Sequence, residues 1–177
     1  MAQNGFHGVS LAALARDAGV TKQALLHFFG TKEQLYAEVL TDLANRLCAE
    51  IEAAHCPDPS AHLLTYFQSF RKAALTQPDD MRLVVRALLD SSDTARKWPL
   101  KPYLDRLSDI ARQTPGGKSA QTDEVMAWLS QMIGTIQYLA IATPAISGMY
   151  GKDTAVAVAD RFEDVVTKAV LDFTQGA

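Results

Sequence analysis

The sequence has few cysteines, no long apolar run and no recognisable leader segment. Cys48 and Cys56 are the two cysteines among its 177 residues. A zinc site needs four ligands, and the sequence offers no second pair of ligands to complete a site with these cysteines. We therefore predict reduced structural thiols and no bound metal. No run of eighteen apolar residues is present, so we expect no transmembrane helix. The first residues, MAQNGFHG, lack the basic and apolar regions of a signal peptide, which predicts a cytoplasmic protein.

The sequence also lacks a large excess of charge and any grouping of residues typical of catalysis. Its net charge is −3 and its pI is about 5.8, so nucleic-acid contact would depend on a local patch rather than on the total charge. No nucleophile, base and acid have a spacing that suggests an active site. The stretch TPGGKSA at 114–120 has no preceding strand, so it does not match a phosphate-binding loop. We predict neither an enzyme nor a bound cofactor.

What the sequence does contain is helical periodicity, while the alternation typical of β-strands is almost absent. We therefore predict an all-α protein. The prolines of CPDPS end the third helix, and Ser60 is expected to cap the fourth. Thr122 is expected to cap a long helix that Pro144 interrupts. The predicted helices cover about 10–18, 21–29, 31–54, 61–76, 80–90, 101–113, 122–143 and 153–173.

The first two predicted helices have the features of a helix-turn-helix. Gly19 follows the first helix, and glycine adopts the left-handed conformation of a C-terminal cap without strain. Thr21 offers a hydroxyl that can accept a hydrogen bond from a free backbone N–H of the second helix. Ala15, one turn before the glycine, is the small side chain that crossing helices need. This spacing is typical of a helix-turn-helix.

The second helix carries four large apolar residues in a short span. We expect Leu25, with either Phe28 or Phe29, to pack back onto the first helix. Thr31 and Gln34 form a capping box that begins the third helix. The second helix is therefore expected to be buried between its neighbours, while its N-terminal end stays exposed.

That exposed N-terminal end is the candidate functional part. Thr21, Lys22 and Gln23 lie where free backbone N–H groups and the positive end of the helix dipole favour a phosphate. Lys32 begins the following helix and is expected to reach the same nucleic-acid backbone. A simpler interpretation is three packed helices without a ligand, but the turn, the caps and the small crossing residue together favour DNA binding.

Residues 5–40 resemble the DNA-binding region of the TetR family of transcriptional regulators. That family has a glycine-phenylalanine pair, a Ser/Thr cap, an Ala-Gly-Val turn, a Ser/Thr-Lys helix start, aromatic residues and a Ser/Thr-Lys-Glu segment. The matching positions are Ser10, Ala18-Gly19-Val20, Thr21-Lys22, Phe28-Phe29 and Thr31-Lys32-Glu33. The resemblance implies a ligand-responsive regulator, usually a repressor, that binds double-stranded DNA at a palindromic operator. The DNA-binding residues predicted with it are Ser10, Thr21, Lys22, Gln23, Leu26, His27 and Lys32.

Two features depart from the family pattern. Leu26 stands where the family usually has a tyrosine that touches a phosphate, and His27 beside it would have to compensate. The family also has an amphipathic helix before the glycine-phenylalanine pair, where this sequence has MAQN. We therefore expect Phe6, Leu14 and Phe28 to lose a cover and DNA binding to be weak. The alternative function is a helical ligand-binding or interaction protein without DNA-binding activity.

Two long C-terminal helices are predicted to form a homodimer. The helix at 122–143 is apolar on two sides, and the helix at 153–173 carries a continuous apolar seam. Such helices can form a four-helix bundle with a second copy, and the resemblance implies the same arrangement. A dimer would present two recognition helices to successive major grooves, ~34 Å apart. A DNA-binding domain of residues 1–45 would thus precede an effector-binding and dimerisation domain of residues 46–177.

The middle of the chain is rich in aromatic residues that can surround a small molecule. Most of them are expected in the core, but an apolar cavity with a few polar groups is typical of a ligand site. The resemblance implies an apolar or aromatic effector whose binding shifts the DNA-reading helices and releases the operator. The candidate ligand-binding residues are Phe70, Trp98, Tyr103, Trp128 and Tyr138.

Overall fold

The computed structural model describes residues 5–89 and 99–176, and within these ranges the protein is all-α, which confirms the predicted fold class. An additional short 3-10 turn covers Gly117–Ser119. The helices, numbered along the chain, are α1 Leu11–Asp17, α2 Lys22–Phe29, α3 Lys32–Ala53, α4 Pro59–Thr76, α5 Pro78–Leu89, α6 Lys101–Ala111, α7 Thr122–Tyr150 and α8 Lys152–Gln175.

Two helices begin at a different cap from the predicted one. Asp58, not Ser60, caps α4, because its side chain accepts a hydrogen bond from the Ala61 N–H at 2.9 Å and Pro59 can occupy the first helical position. Gln121, not Thr122, caps α7 and takes part in a capping box. At the start of α7 the Gln121 N–H donates to the Glu124 carboxylate at 2.6 Å, so Glu124 contributes to this cap.

The predicted interruption at Pro144 is wrong, because α7 continues through Pro144 to Tyr150. Proline removes one backbone hydrogen bond, but its fixed φ is compatible with a helix. Contact with α8 supports α7 from the side. We attribute the continuity of α7 to this packing, which outweighs one lost hydrogen bond.

The core lies between α3, α4, α6 and α7, and α8 packs against α4 and α7. Full burial of a large apolar side chain contributes about 1.5–3 kcal/mol, so these helices stabilise one another. Trp128 of α7 stacks on Phe173 of α8, with ring centroids 4.1 Å apart. The most deeply buried large side chains are Tyr36, Leu40, Leu43, Ile51, Leu63, Tyr66, Phe67, Phe70, Tyr103, Leu107, Leu129 and Met132.

α7 is the one helix in the described ranges that is long and apolar enough to cross a membrane, with a mean hydropathy of 1.3 over its most apolar window. It also supplies core side chains, since Val125, Leu129, Met132 and Ile136 are buried by neighbouring helices. A central helix of a helical domain has this composition as well. We interpret α7 as a core helix.

α3 connects the N-terminal helices with the core. Its first turn begins next to α2, and Leu40, Leu43 and Leu47 enter the core further along the helix. The domain boundary predicted at residue 45 therefore falls inside a continuous helix. A helix of this kind transmits movement between its ends, because it bends little over a few turns.

Candidate functional site

The helix-turn-helix is formed by α1 and α2 through short-range hydrogen bonds. The Ser10 hydroxyl accepts a hydrogen bond from the Ala13 N–H, and the Thr21 hydroxyl accepts one from the Ala24 N–H, each at 3.1 Å. Gly19 has a φ of +69°, the left-handed conformation that the sequence predicted for the turn. The two cap bonds fix the starts of α1 and α2, and Gly19 allows the tight turn between them.

The expectation that the second helix is buried between its neighbours is wrong, because no residue of α2 is fully buried. Packing decides which phenylalanine of α2 is partly covered. Leu25 and Phe29 are half-buried, whereas Phe28 is 79% exposed. The predicted capping box is present, since the Thr31 N–H donates to Gln34 Oε1 at 2.9 Å and the Gln34 N–H donates to Thr31 Oγ1 at 3.1 Å. The chain therefore leaves α2 in a fixed direction and begins α3 at once.

The expectation that Phe6 loses its cover is wrong. Phe6 is 6% exposed, and its ring centroid lies 5.3 Å from that of Tyr36 in α3. The Lys32 ammonium lies 4.5 Å from the Phe6 ring centroid, a cation–π contact that orients the lysine. Leu14 remains half-buried. Of the three residues expected to lose cover, Phe28 is the one that is highly exposed.

The residues predicted to contact DNA lie on the surface of the helix-turn-helix and the start of α3. Lys22 and Leu26 are four residues apart on α2, as are Gln23 and His27, so the four side chains share one side of the helix. All four are exposed, as is Thr21 at the cap. Ser10 caps α1, and the half-buried Lys32 begins α3. Their common role in DNA contact stays a prediction.

Few charges lie at this surface. Arg16 is 3.9 Å from Asp17, and both side chains are highly exposed, so this pair adds little net charge. Lys22, Lys32 and the N-terminal N–H groups of α2 supply the positive potential. An anion is therefore favoured at the start of α2 rather than over the whole surface of the head, by which we mean α1, α2 and the first turn of α3.

A second candidate site is a cavity of about 310 Å³ inside the helical domain. Phe70 and Tyr103 line this cavity, as the sequence predicted for a ligand site. Trp128 and Tyr138 lie elsewhere, and Trp98 is outside the described residues. The lining residues are Leu47, Phe70, Met81, Val84, Leu88, Leu100, Tyr103, Leu104, Met126, Ser130, Ile133, Gly134 and Gln137.

Most of these lining residues were not predicted, because they come from five different helices and from the residue before α6. In the sequence each has the spacing of an ordinary core residue. No local signal distinguishes the side chains that meet in a cavity from those that fill the core. The aromatic content of α4 and α6 was the only usable indication.

Two buried tyrosines meet next to the cavity. The Tyr66 hydroxyl of α4 donates to the Tyr103 hydroxyl of α6 at 2.8 Å. Burial raises the pKa of both phenols above its ordinary value, because the phenolate form would lose its hydration. Both side chains therefore stay neutral and keep their protons.

Ion pairs connect α3 with the helices around the cavity. Arg46 donates to both carboxylate oxygens of Asp80 in α5, at 2.6 and 3.1 Å, and also to Asp42. The hydrogen bond with Asp80 raises the pKa of the Arg46 guanidinium. Arg106 of α6 pairs with Glu52 of α3. These contacts link the helix that begins at the head with two cavity helices.

Beyond its first turn, which contains Asp123 and Glu124, α7 carries no charged side chain. Residues 125–150 contain no Asp, Glu, Lys or Arg. Tyr138, Met149 and Tyr150 are each at least 67% exposed. An uncharged exposed strip of this length is unusual on a solvated helix, whose outer face normally carries charged or polar residues.

The apolar seam predicted along α8 is divided between two sides of the helix. Val166 and Val170 are 2% and 0% exposed and pack into the core. Val165 is 52% exposed and shares a side with Val158, which is half-buried. Ala169, four residues after Val165, is in contact with α7, because its carbonyl accepts a hydrogen bond from the Trp128 indole N–H.

Residues 1–39 match the protein family described as "Bacterial regulatory proteins, tetR family". The matched segment contains the helix-turn-helix and the beginning of α3. Among curated proteins, the HTH-type transcriptional regulator RutR of Escherichia coli strain K12 is 29% identical, over 84% of this chain and 72% of RutR. This similarity extends well beyond the helix-turn-helix and into the helices that follow it.

Solved structures of regulators have the same fold. The TetR family transcriptional regulator PfmR from Thermus thermophilus is similar with a TM-score of 0.64 and 19% identity, over 94% of this chain and 89% of PfmR. The transcriptional regulator FadR from Bacillus subtilis, crystallised with stearoyl-CoA, is similar with a TM-score of 0.64 and 19% identity, over 99% of this chain and 92% of FadR. None of these proteins is described as an enzyme.

Proposed function

We propose that this chain is a member of the TetR family of transcriptional regulators and acts as a cytoplasmic repressor that binds a palindromic operator as a homodimer. Regulators of this family bind DNA and respond to small molecules. The observation that carries the proposal is the exposed start of α2, where Thr21, Lys22 and Gln23 project from a firmly capped helix. In this proposal a small molecule in the cavity releases the operator.

We assign different roles to the residues at the DNA surface. Lys22 and Lys32 contact phosphates through their ammonium groups, and Ser10 and Thr21 lie at helix starts that favour the same anion. Gln23 and His27 carry groups that can hydrogen-bond to base edges in the major groove. Leu26 offers no hydrogen bond, so it supplies apolar contact only. Residues 1–45 form the DNA-binding domain in this proposal.

We further propose that residues 46–177 dimerise through α7 and α8. The proposed interface combines the uncharged outer surface of α7 with the side of α8 that carries Val158 and Val165. Burial of these side chains against a second copy removes apolar surface from water, which favours association. A twofold axis would then relate the two heads, as a palindromic operator requires.

The proposed effector is a small apolar or aromatic molecule held in the cavity by Phe70 and Tyr103. The cavity is lined mainly by aliphatic and aromatic side chains, which is typical of small-molecule sites. Leu47 of α3 is part of the lining, so a bound molecule contacts the helix that leads to the head. Displacement of α3 would change the distance between the two heads and weaken operator binding.

One observation favours a second function, a ligand-binding or interaction protein without DNA-binding activity. Phe28 is 79% exposed and Leu26 is 38% exposed on α2, so two apolar side chains lie on the surface of this helix.

A gel-shift experiment with DNA from upstream of regulated genes distinguishes the two functions. The repressor function requires a sequence-specific shifted band. No shifted band, or non-specific retardation alone, would favour the second function.

The experiment that tests DNA contact is the substitution Lys22→Ala. Because a phosphate contact releases condensed counterions, the variant should bind all DNA sequences more weakly, and the magnitude of its log–log salt slope should decrease by about one. Affinity is measured by fluorescence anisotropy at several salt concentrations.

Lys118→Ala is the matched control for Lys22→Ala, because it removes an exposed lysine from the 3-10 turn, far from the head in the chain. The control should leave both the affinity and the salt slope close to those of the unmodified protein. Equal slopes for the unmodified protein and Lys22→Ala would contradict the proposed phosphate contact.

A further inference from the structure

The cavity in the helical domain contains no charged side chain among its described lining residues. Ten of the thirteen lining side chains are aliphatic, aromatic or glycine without a polar side-chain atom, and the others are Tyr103, Ser130 and Gln137. Ser130 is exposed and Gln137 is half-buried, so these two lie near solvent. Tyr103 is 2% exposed and is therefore the deeply buried polar group of the lining.

Within residues 5–89 and 99–176, the proton of the Tyr103 hydroxyl is not used in a hydrogen bond. Tyr66 donates its proton to the Tyr103 oxygen, and Tyr66 itself is fully buried. Each hydroxyl carries one hydrogen. A single hydrogen bond between the two uses one of these hydrogens, so the other hydrogen can be donated to a different acceptor. With Tyr66 as the donor, the remaining proton belongs to Tyr103. Residues 5–89 and 99–176 contain no recorded acceptor for it.

Neighbouring aromatic rings hold the tyrosine pair in place. The ring of Tyr66 stacks on that of Phe70 with centroids 5.8 Å apart, and the ring of Tyr103 lies 6.3 Å from that of Tyr66. Phe70 and Tyr103 both line the cavity. The unused donor is thus part of a rigid group of side chains rather than of a mobile one.

Among the described residues, two ion pairs connect helices that surround the cavity. Arg46 pairs with Asp80, and Arg106 pairs with Glu52. None of these four residues lines the cavity. An ionised ligand would lose its hydration on entering without gaining a counter-charge, which is strongly unfavourable.

We propose that the cavity binds an uncharged, largely apolar molecule with a carbonyl or similar acceptor, and that the Tyr103 hydroxyl donates to this acceptor. The proposal rests on the proposed function, since it takes the cavity to be the effector site. The cavity volume is at the small end of the ~300–1,000 Å³ range of ligand pockets, which favours a compact molecule. A buried donor without a partner is costly, so an acceptor at this point gains affinity.

The test uses three probes of nearly the same size: acetophenone with a carbonyl, ethylbenzene without one, and the benzoate anion. The unmodified protein should bind acetophenone roughly tenfold more tightly than ethylbenzene and should bind benzoate more weakly than either. Dissociation constants are measured by NMR titration of the full chain. Benzoate binding as tight as that of acetophenone, or no preference between the two neutral probes, would overturn the proposal.

Two substitutions remove one oxygen atom each from the tyrosine pair. Tyr103→Phe should abolish the preference for acetophenone while leaving the affinity for ethylbenzene unchanged. Tyr66→Phe is the matched control, because the Tyr103 proton remains available and the preference should persist. A preference that survives Tyr103→Phe would contradict the assigned role of this hydroxyl.

An infrared measurement on the unmodified protein covers the case in which Tyr103→Phe does not fold. The carbonyl stretch of bound acetophenone should lie below its frequency in hexane, because a hydrogen bond weakens the C=O bond. An unshifted stretch would overturn the proposal. Operator binding is measured separately by gel shift, so loss of DNA binding with intact probe selectivity would refute the repressor function but not the ligand chemistry.

Discussion

At the scale of single residues, Leu26 is the most informative position of the proposed DNA surface. It shares a side of α2 with Lys22, and its side chain is 38% exposed without any group that can bind a phosphate. The family resemblance places a phosphate-contacting tyrosine at this position. One phosphate contact fewer per head would weaken affinity for all sequences, which agrees with the expectation of weak binding.

We predict that Leu26→Tyr tightens operator binding by up to about tenfold. A phenolic O–H that donates to a phosphate contributes about 0.5–1.5 kcal/mol, and the exposed position leaves room for the larger ring. Fluorescence anisotropy with labelled operator DNA measures the change. Leu26→Phe adds the ring without the hydroxyl, so an equal gain by both variants would show that ring contact, and not a phosphate bond, is responsible.

At the scale of elements, α3 is the helix on which the two candidate sites depend. It begins with the capping box of Thr31 and Gln34, positions Lys32 over Phe6, and supplies Leu47 to the cavity lining. Arg46 and Glu52 connect the same helix to α5 and α6. A change in its N-terminal cap should therefore affect both stability and the placement of Lys32.

We predict that Thr31→Ala lowers the free energy of unfolding by about 1 kcal/mol, because the Gln34 N–H loses its acceptor. Urea denaturation followed by circular dichroism measures this loss. Thr41→Ala, an exposed position inside α3, is the control and should be neutral or slightly stabilising, since alanine favours helix interiors. Equal destabilisation by the two substitutions would argue against a specific capping effect.

At the scale of the whole molecule, the two sides of α8 have different environments. Glu163 and Thr167 hydrogen-bond with Arg71 and Gln68 of α4, so this side faces its own chain. Val165 lies on another side of α8 and is 52% exposed. That difference identifies which part of α8 is available to a second copy.

We predict that Val165→Glu raises the dissociation constant of the homodimer by about a hundredfold, because an unpaired charge buried at the interface costs roughly 3 kcal/mol. Analytical ultracentrifugation measures the dissociation constant, and operator affinity should fall with it. Val156→Glu is the control. Val156 is about as exposed as Val165, but nine residues correspond to two and a half helical turns, so the two side chains lie on opposite sides of α8. Unchanged dimerisation in Val165→Glu would place the interface elsewhere.

The sequence by itself determined the caps, the turn and most helix ends. Ser10, Gly19, Thr21 and Thr31 form their structures through contacts three or four residues away, so nearby residue types are sufficient to predict them. Periodicity likewise predicted the all-α fold. Local competition between polar neighbours produced the exception at the start of α4, where Asp58 caps instead of Ser60. The exception at Pro144 has a different cause, the packing of α7 against α8.

Only the tertiary structure decided which apolar residues are covered and where a cavity remains. Phe28 and Phe29 are adjacent and similar in type, yet Phe28 is the exposed one, and Val166 is buried beside the exposed Val165. Phe6 is buried by Tyr36, thirty positions away. The physical reason is that burial depends on the helices packed opposite a residue, and these come from distant parts of the chain.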